Sequence, residues 1–135
     1  MPLDGRRFHW TPPMPLAVAM IGGVSLILGW LFVLRALADN HFGSALVRVQ
    51  RERGHRVITT GVYGWVRHPM YLGAALLFVG GPLLTGAASA LLVGLLLTAL
   101  LGVRSLDEEA LLTRELPGYE AYARRVRYRL IPLVW

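Results

Sequence analysis

Two short runs of this chain carry the side chains that could do chemistry. The first is Gly61-Val62-Tyr63-Gly64-Trp65-Val66-Arg67-His68-Pro69-Met70-Tyr71-Leu72-Gly73, where a basic segment runs into a long apolar one. The second, Arg104-Ser105-Leu106-Asp107-Glu108-Glu109, closes the next apolar stretch. Polar, ring-bearing and charged groups are costly at a membrane boundary, so such clusters are functional-site candidates by default. Pro69 suits the first turn of a helix, which would hang Arg67 and His68 at an N-terminus able to bind carboxylate or phosphate. Tyr71, two residues past Pro69, is expected on a different side from His68. The tyrosine faces would attract a desolvated cation. Anion donors beside aromatic faces suit a zwitterionic ligand with a second positive centre. Tyr63, Trp65 and Tyr71 would equally serve as interfacial belt aromatics, with Arg67 as a snorkelling anchor.

In the second run, Arg104 and Glu108 are four apart and share one helix face. They could bind separate ligands, the arginine an anionic group and the glutamate hydroxyls or an ammonium. On a solvated surface the same pair would be a weak salt bridge. Asp107 and Glu109 read as the solvated side of that helix.

The elements that must position these groups follow from charge and length. Trp10 to Leu34 is free of charge for 25 residues, enough for one spanning helix that starts near Pro15. Pro69 to Val103 is free of charge for 35 residues. As one helix it would run to about 52 Å against a hydrocarbon core of about 30 Å, so it must turn back. Gly80-Gly81-Pro82 and then Thr85-Gly86 are the break signals. The expected fold is an all-α integral membrane protein of about three transmembrane helices (residues 15–35, 69–84 and 86–104), forming one domain over 1–135. The polar segment Arg35 to His68 contains an extended-looking Val57-Ile58-Thr59-Thr60. A short amphipathic helix, a turn at Pro117-Gly118 and a second helix from Tyr119 are expected after the hairpin.

Composition agrees. Apolar residues make up 55% of the 135 and charged ones 16%, about two thirds of the usual charge of a soluble domain. All 14 basic residues are arginine. Twelve of them fall on the side holding the middle loop and C-terminal segment and two on the other, which places both clusters in the cytoplasm by the positive-inside rule. The net charge of +6 fits anionic lipid headgroups better than nucleic acid, because the arginines flank apolar spans. Arg6-Arg7 with the long stretch behind it reads as no cleavable signal peptide. With no cysteine, thiolate chemistry and Cys-based zinc sites are excluded. The four histidines (His9, His41, His55, His68) lack ligand spacing, so no metal is expected. Walker A, GxGxxG and nucleophile-elbow motifs are absent, which leaves P-loop, Rossmann and serine-hydrolase chemistry unsupported.

Taken together, His55-Arg56-Val57-Ile58, Gly61-Val62-Tyr63, Arg67-His68-Pro69-x-Tyr71-x-Gly73 and Arg104-x-x-x-Glu108-Glu109 with Tyr119 and Tyr122 resemble the isoprenylcysteine carboxyl methyltransferase family, related to membrane phospholipid methyltransferases. The likeness covers most of the chain, from about Gln50 to Pro132. It implies an integral-membrane methyltransferase that uses S-adenosylmethionine without a Rossmann domain. By resemblance, cofactor contacts fall at Gln50, His55, Arg56, Val57, Ile58, Tyr63, His68, Pro69, Met70, Tyr71 and Glu108, and Arg104 orients the acceptor. Carboxylate, amine and thiol acceptors stay open, as does an oligomer. The expected setting is a bacterial inner membrane with the site facing the cytoplasm. Two other readings stand beside it: a sterol-reductase-like oxidoreductase using NADPH, and a small non-catalytic membrane subunit.

Overall fold

A computed structural model of the chain describes residues 15–40 and 56–135. These form α1 (Leu16–Asp39), α2 (Pro69–Thr85), α3 (Ala88–Glu115) and α4 (Tyr119–Arg125), with one 3-10 turn over Gly61–Gly64 ahead of α2. Among the described residues there is no strand, and Arg56 to Thr60 form no regular element. Gln50 and His55 lie outside the described residues.

Two helices, α1 and α3, are long and apolar enough to cross a membrane. Their large apolar side chains point outward: Met20, Ile27, Trp30 and Leu34 on α1, Leu92, Leu96, Leu100 and Val103 on α3, are all exposed. In water that surface would be prohibitive, whereas lipid tails match it. The 17 residues of α2 are apolar but reach only about 26 Å.

The middle helix α2 packs on both α1 and α3. Its seam with α1 is antiparallel and built on glycines seven apart. A Cβ on Gly29 would lie 2.9 Å from the Gly73 carbonyl, and one on Gly80 would lie 2.9 Å from the Gly22 carbonyl. Ser25 adds a hydrogen bond from its hydroxyl to the Leu76 carbonyl, 3.2 Å. Small residues that let backbones touch are how helices associate where lipid removes the hydrophobic drive.

The hairpin differs from the sequence expectation in one respect. Helix α2 continues through Gly80-Gly81-Pro82 and ends at Thr85, and the chain turns at Gly86, whose φ of 68° is left-handed. Pro82 removes the N–H that would bond to the Phe78 carbonyl. At that carbonyl α3 comes closest, with Gly94 so near that any Cβ would collide with the Phe78 oxygen. The proline therefore marks a helix contact and not the turn.

Past the apolar stretch α3 does not stop. It runs without a break through Arg104 to Glu115, so the amphipathic segment expected as a separate helix is its last three turns. No Gly or Pro interrupts Val103 to Glu115, so nothing there ends the helix. Pro117-Gly118 then turns the chain into α4, where Leu116, Tyr119, Tyr122 and Val126 form a small core against Val57 and Leu112. Beyond α4 the chain crosses the entrance to α2, where the Arg67 N–H donates to the Tyr128 carbonyl and the His68 N–H to the Arg129 carbonyl, both at 2.9 Å.

Candidate functional site

The two clusters meet at one end of the helices. His68 precedes α2 with φ −122° and ψ 63°, and Pro69 takes the first helical position. Because His68 is not helical, the spacing argument that separated it from Tyr71 fails. The two rings stack, with centroids 5.4 Å apart and planes 8° from parallel. The Tyr71 hydroxyl lies between the charges of the second cluster. It donates to Glu108 Oε2 at 2.6 Å and accepts from Arg104 Nε at 2.9 Å. Arg104 and Glu108 do share a helix face, and Tyr71 bridges them.

Glu109 was expected on the solvated side and is instead 8% exposed. Its Oε1 lies 3.0 Å from His68 Nε2 and 2.9 Å from Arg67 Nε, and its Oε2 accepts from Arg129 Nε at 2.9 Å. The Arg67 Nε contact is an ion pair whose N–H points elsewhere, since that atom makes no hydrogen bond. Arg67 also donates from Nη1 to the Ala123 carbonyl at 3.3 Å. The anion met by Arg67 and His68 at the helix entrance thus belongs to the chain itself. A carboxylate only accepts, so His68 Nε2 carries the proton of that bond, which leaves Nδ1 as the acceptor in the neutral ring.

Tyr63 sits on the 3-10 turn and is held from two sides. Its carbonyl accepts from the Tyr122 hydroxyl at 2.8 Å, and Asn40 at the end of α1 hydrogen-bonds its phenol. Burial pushes the Tyr63 phenol above its ordinary range, and the nearby Glu108 carboxylate adds to the shift. Tyr63, His68, Tyr71, Arg104 and Glu108 therefore form one neighbourhood. In α4, Tyr119 and Tyr122 are raised well above the usual phenol range, again chiefly by burial. The Tyr119 hydroxyl is buried with no hydrogen-bond partner.

The remaining sequence candidates sit differently. Pro69 is fully buried as a helix start and Met70 is half-buried. Val57 packs on the α4 core, Ile58 is half-buried and Arg56 is exposed. Sequence reasoning missed Glu109, Arg129 and the end of α1 as parts of this neighbourhood. For Glu109 a signal existed: Arg67-His68 at a boundary needs an anion, and Glu109 projects about 100° from Glu108 on the same helix.

No group of three or more metal-ligating side chains occurs among the described residues. The donor set favours an organic ligand with a cationic part: a half-buried carboxylate at Glu108, phenol rings at Tyr63 and Tyr71, and an arginine one turn away.

Known proteins resemble the chain over the same segments. Residues 23–114 match the model of the isoprenylcysteine carboxyl methyltransferase (ICMT) family, which is more than half of the sequence. The protein-S-isoprenylcysteine O-methyltransferase of Schizosaccharomyces pombe is 35% identical over 85 residues, covering 62% of this chain and 36% of that protein. The enzyme of the same name from Saccharomyces cerevisiae is 36% identical over 55 residues, 40% of this chain and 23% of that protein. The mouse Delta(14)-sterol reductase TM7SF2 is 33% identical over 95 residues, 68% of this chain and 23% of that protein. The chain thus spans little more than a third of the length of these relatives, or less. With its helices, its Arg-His-Pro entrance and its paired glutamates in the matched segment or at its edge, the chain belongs to the isoprenylcysteine carboxyl methyltransferase family.

Proposed function

We propose that the protein is an integral-membrane, S-adenosylmethionine-dependent methyltransferase of one domain, with three spans and its site on the cytoplasmic face. The carrying observation is the Tyr71 hydroxyl held between Arg104 and Glu108 beside the stacked His68 ring. The twelve-to-two arginine asymmetry supports the orientation.

Bound S-adenosylmethionine would supply an electrophilic methyl group on a sulfonium. Glu108 would take a hydroxyl or ammonium of that cofactor, and the Tyr63 and Tyr71 faces would lie against its cationic part. Gln50, His55, Arg56, Val57, Ile58, His68, Pro69 and Met70 are the further contact positions that the family implies. Arg104 would orient an anionic acceptor through its planar guanidinium. A carboxylate suits this site because it arrives ionised and needs no base. The chain's task is then alignment and exclusion of water. Membrane lipids surround the site, and the acceptor is a lipophilic acid.

A reductase reading has the sterol-reductase similarity in its favour. Calorimetric titration of the purified protein with S-adenosylhomocysteine and with NADPH separates the two. We expect binding of the first alone, and NADPH binding alone would overturn the proposal. The acceptor class is tested by labelled methyl transfer: a carboxyl ester releases methanol in alkali, while N-methyl and S-methyl products do not.

A further inference from the structure

The last turn of α1 grips the tyrosine turn that comes 23 residues later in the chain. Asp39 Oδ2 accepts from the Val62 backbone N–H at 3.0 Å. The same carboxylate pairs with Arg35, 3.0 Å from Nη2 to Oδ1 and 3.2 Å from Nε to Oδ2. Gly61 makes the approach possible. Its φ is 59°, and the Asp39 carboxylate fills the space a Cβ would need. The next residue, Asn40, reaches past the backbone to the Tyr63 phenol.

An aspartate is a poor choice for this position on helical grounds, because an acid at a helix C-terminus opposes the macrodipole. Arg35 offsets part of that cost without explaining why an acid is there. The backbone N–H of Val62 does explain it. The Tyr122 hydroxyl tethers the turn at the Tyr63 carbonyl, and Asp39 supplies the second tether, at the Val62 amide, that leaves it one orientation.

We propose that Asp39 is a positioning residue that fixes the Gly61–Gly64 turn and so presents Tyr63 to the cofactor, with Asn40 holding the phenol. The inference rests on the cofactor role given to Tyr63 above. It joins α1 to the binding site. Without the acceptor the turn samples other orientations, and the competent fraction falls in proportion to the loss of apparent affinity.

The test compares Asp39→Ala, Asp39→Asn and Asn40→Ala with the wild-type full chain in detergent. Two readouts are taken: hydrogen exchange over residues 60–66 without ligand, and calorimetry with S-adenosylhomocysteine. Asp39→Ala should deprotect the segment and raise Kd about tenfold, and Asp39→Asn, which keeps an accepting oxygen, should return both to within about threefold of wild type. Asn40→Ala should raise Kd about threefold with little change in exchange. A merely structural role would lower unfolding resistance without this acceptor rescue. Deprotection in Asp39→Ala with wild-type affinity overturns the proposal, and so does an Asp39→Asn as impaired as Asp39→Ala. If Asp39→Ala does not fold, wild-type affinity in Asn40→Ala together with lost protection in Asp39→Asn overturns it equally. Wild-type protein that binds no S-adenosylhomocysteine while its segment is protected sinks the methyltransferase reading instead, and the positioning role falls with it.

Discussion

One residue apart on α3, Glu108 lies half-buried in an arrangement of Tyr71 and Arg104, whereas Glu109 is sealed between Arg67, His68 and Arg129. Adjacent helix positions are about 100° apart, so one helix serves two neighbourhoods of opposite kind. Around Glu109 one carboxylate is shared by two guanidiniums and an imidazole of the same chain, and the cluster ties α2's entrance, α3 and the C-terminal segment together. Around Glu108 the carboxylate accepts from a neutral phenol, and that phenol in turn accepts from Arg104. The difference teaches that a pair of acids in a membrane boundary motif need not share a task. The closed neighbourhood is built from the chain's own charges, and the half-open one is where the proposed cofactor chemistry is assigned.

The largest effect should come from the closed side. Glu109→Ala would leave the buried Arg67 guanidinium without its carboxylate and cost about 3 kcal/mol of stability, as removal of one member of a buried ion pair does. Denaturant titration in detergent measures it, and wild-type stability would dissolve the scaffold half of the comparison. Next comes the half-open side. Glu108→Gln should weaken S-adenosylhomocysteine binding by about 1–3 kcal/mol with stability almost intact. Arg104→Ala should keep that affinity and lose turnover. The reverse pattern in calorimetry and methyl-transfer assays would exchange the two roles.

A smaller change is expected from Tyr71→Phe, which keeps the ring stacked on His68 and deletes the bridge between Arg104 and Glu108. About 1 kcal/mol of cofactor affinity should go, and an unchanged Kd would show that the bridge does not organise Glu108. The smallest is Glu120→Ala. Its pairing with Arg124 at 3.2 Å is fully at the surface, and stability should stay within about 0.5 kcal/mol.

How much of this was legible in the sequence depended on the range of the interaction. Charge-free length located the helices, and the run Arg67-His68-Pro69 located the entrance to α2, because both are local properties of the chain. Of the two break signals, Thr85-Gly86 is the turn, while Gly80-Gly81-Pro82 reads as a break until Gly94 of α3 is known to approach the Phe78 carbonyl that Pro82 frees. Glu109 was misjudged for a similar reason. Helical spacing says which residues share a face, but not which face a neighbour covers, and the covering residues come from Arg67-His68 and from Arg129 far along the chain. The His68–Tyr71 stack was hidden by one non-helical residue at the helix start. Gln50 and His55 fall outside the described residues, and their roles rest on the family likeness.

The glycine seam between α1 and α2 also governs where this chain tolerates a change in length. Gly29 fixes α1 against Gly73, and Asp39 meets Val62 ten residues further on. One residue inserted between them would swing Asp39 by about 100° and lift it about 1.5 Å, away from the amide it binds. The same insertion ahead of Gly22 would only lengthen the far end of the helix. Substitution on the lipid face between Gly29 and Asp39 is cheap, while insertion or deletion there is not. The stretch behaves as a ruler whose divisions count and whose lettering does not.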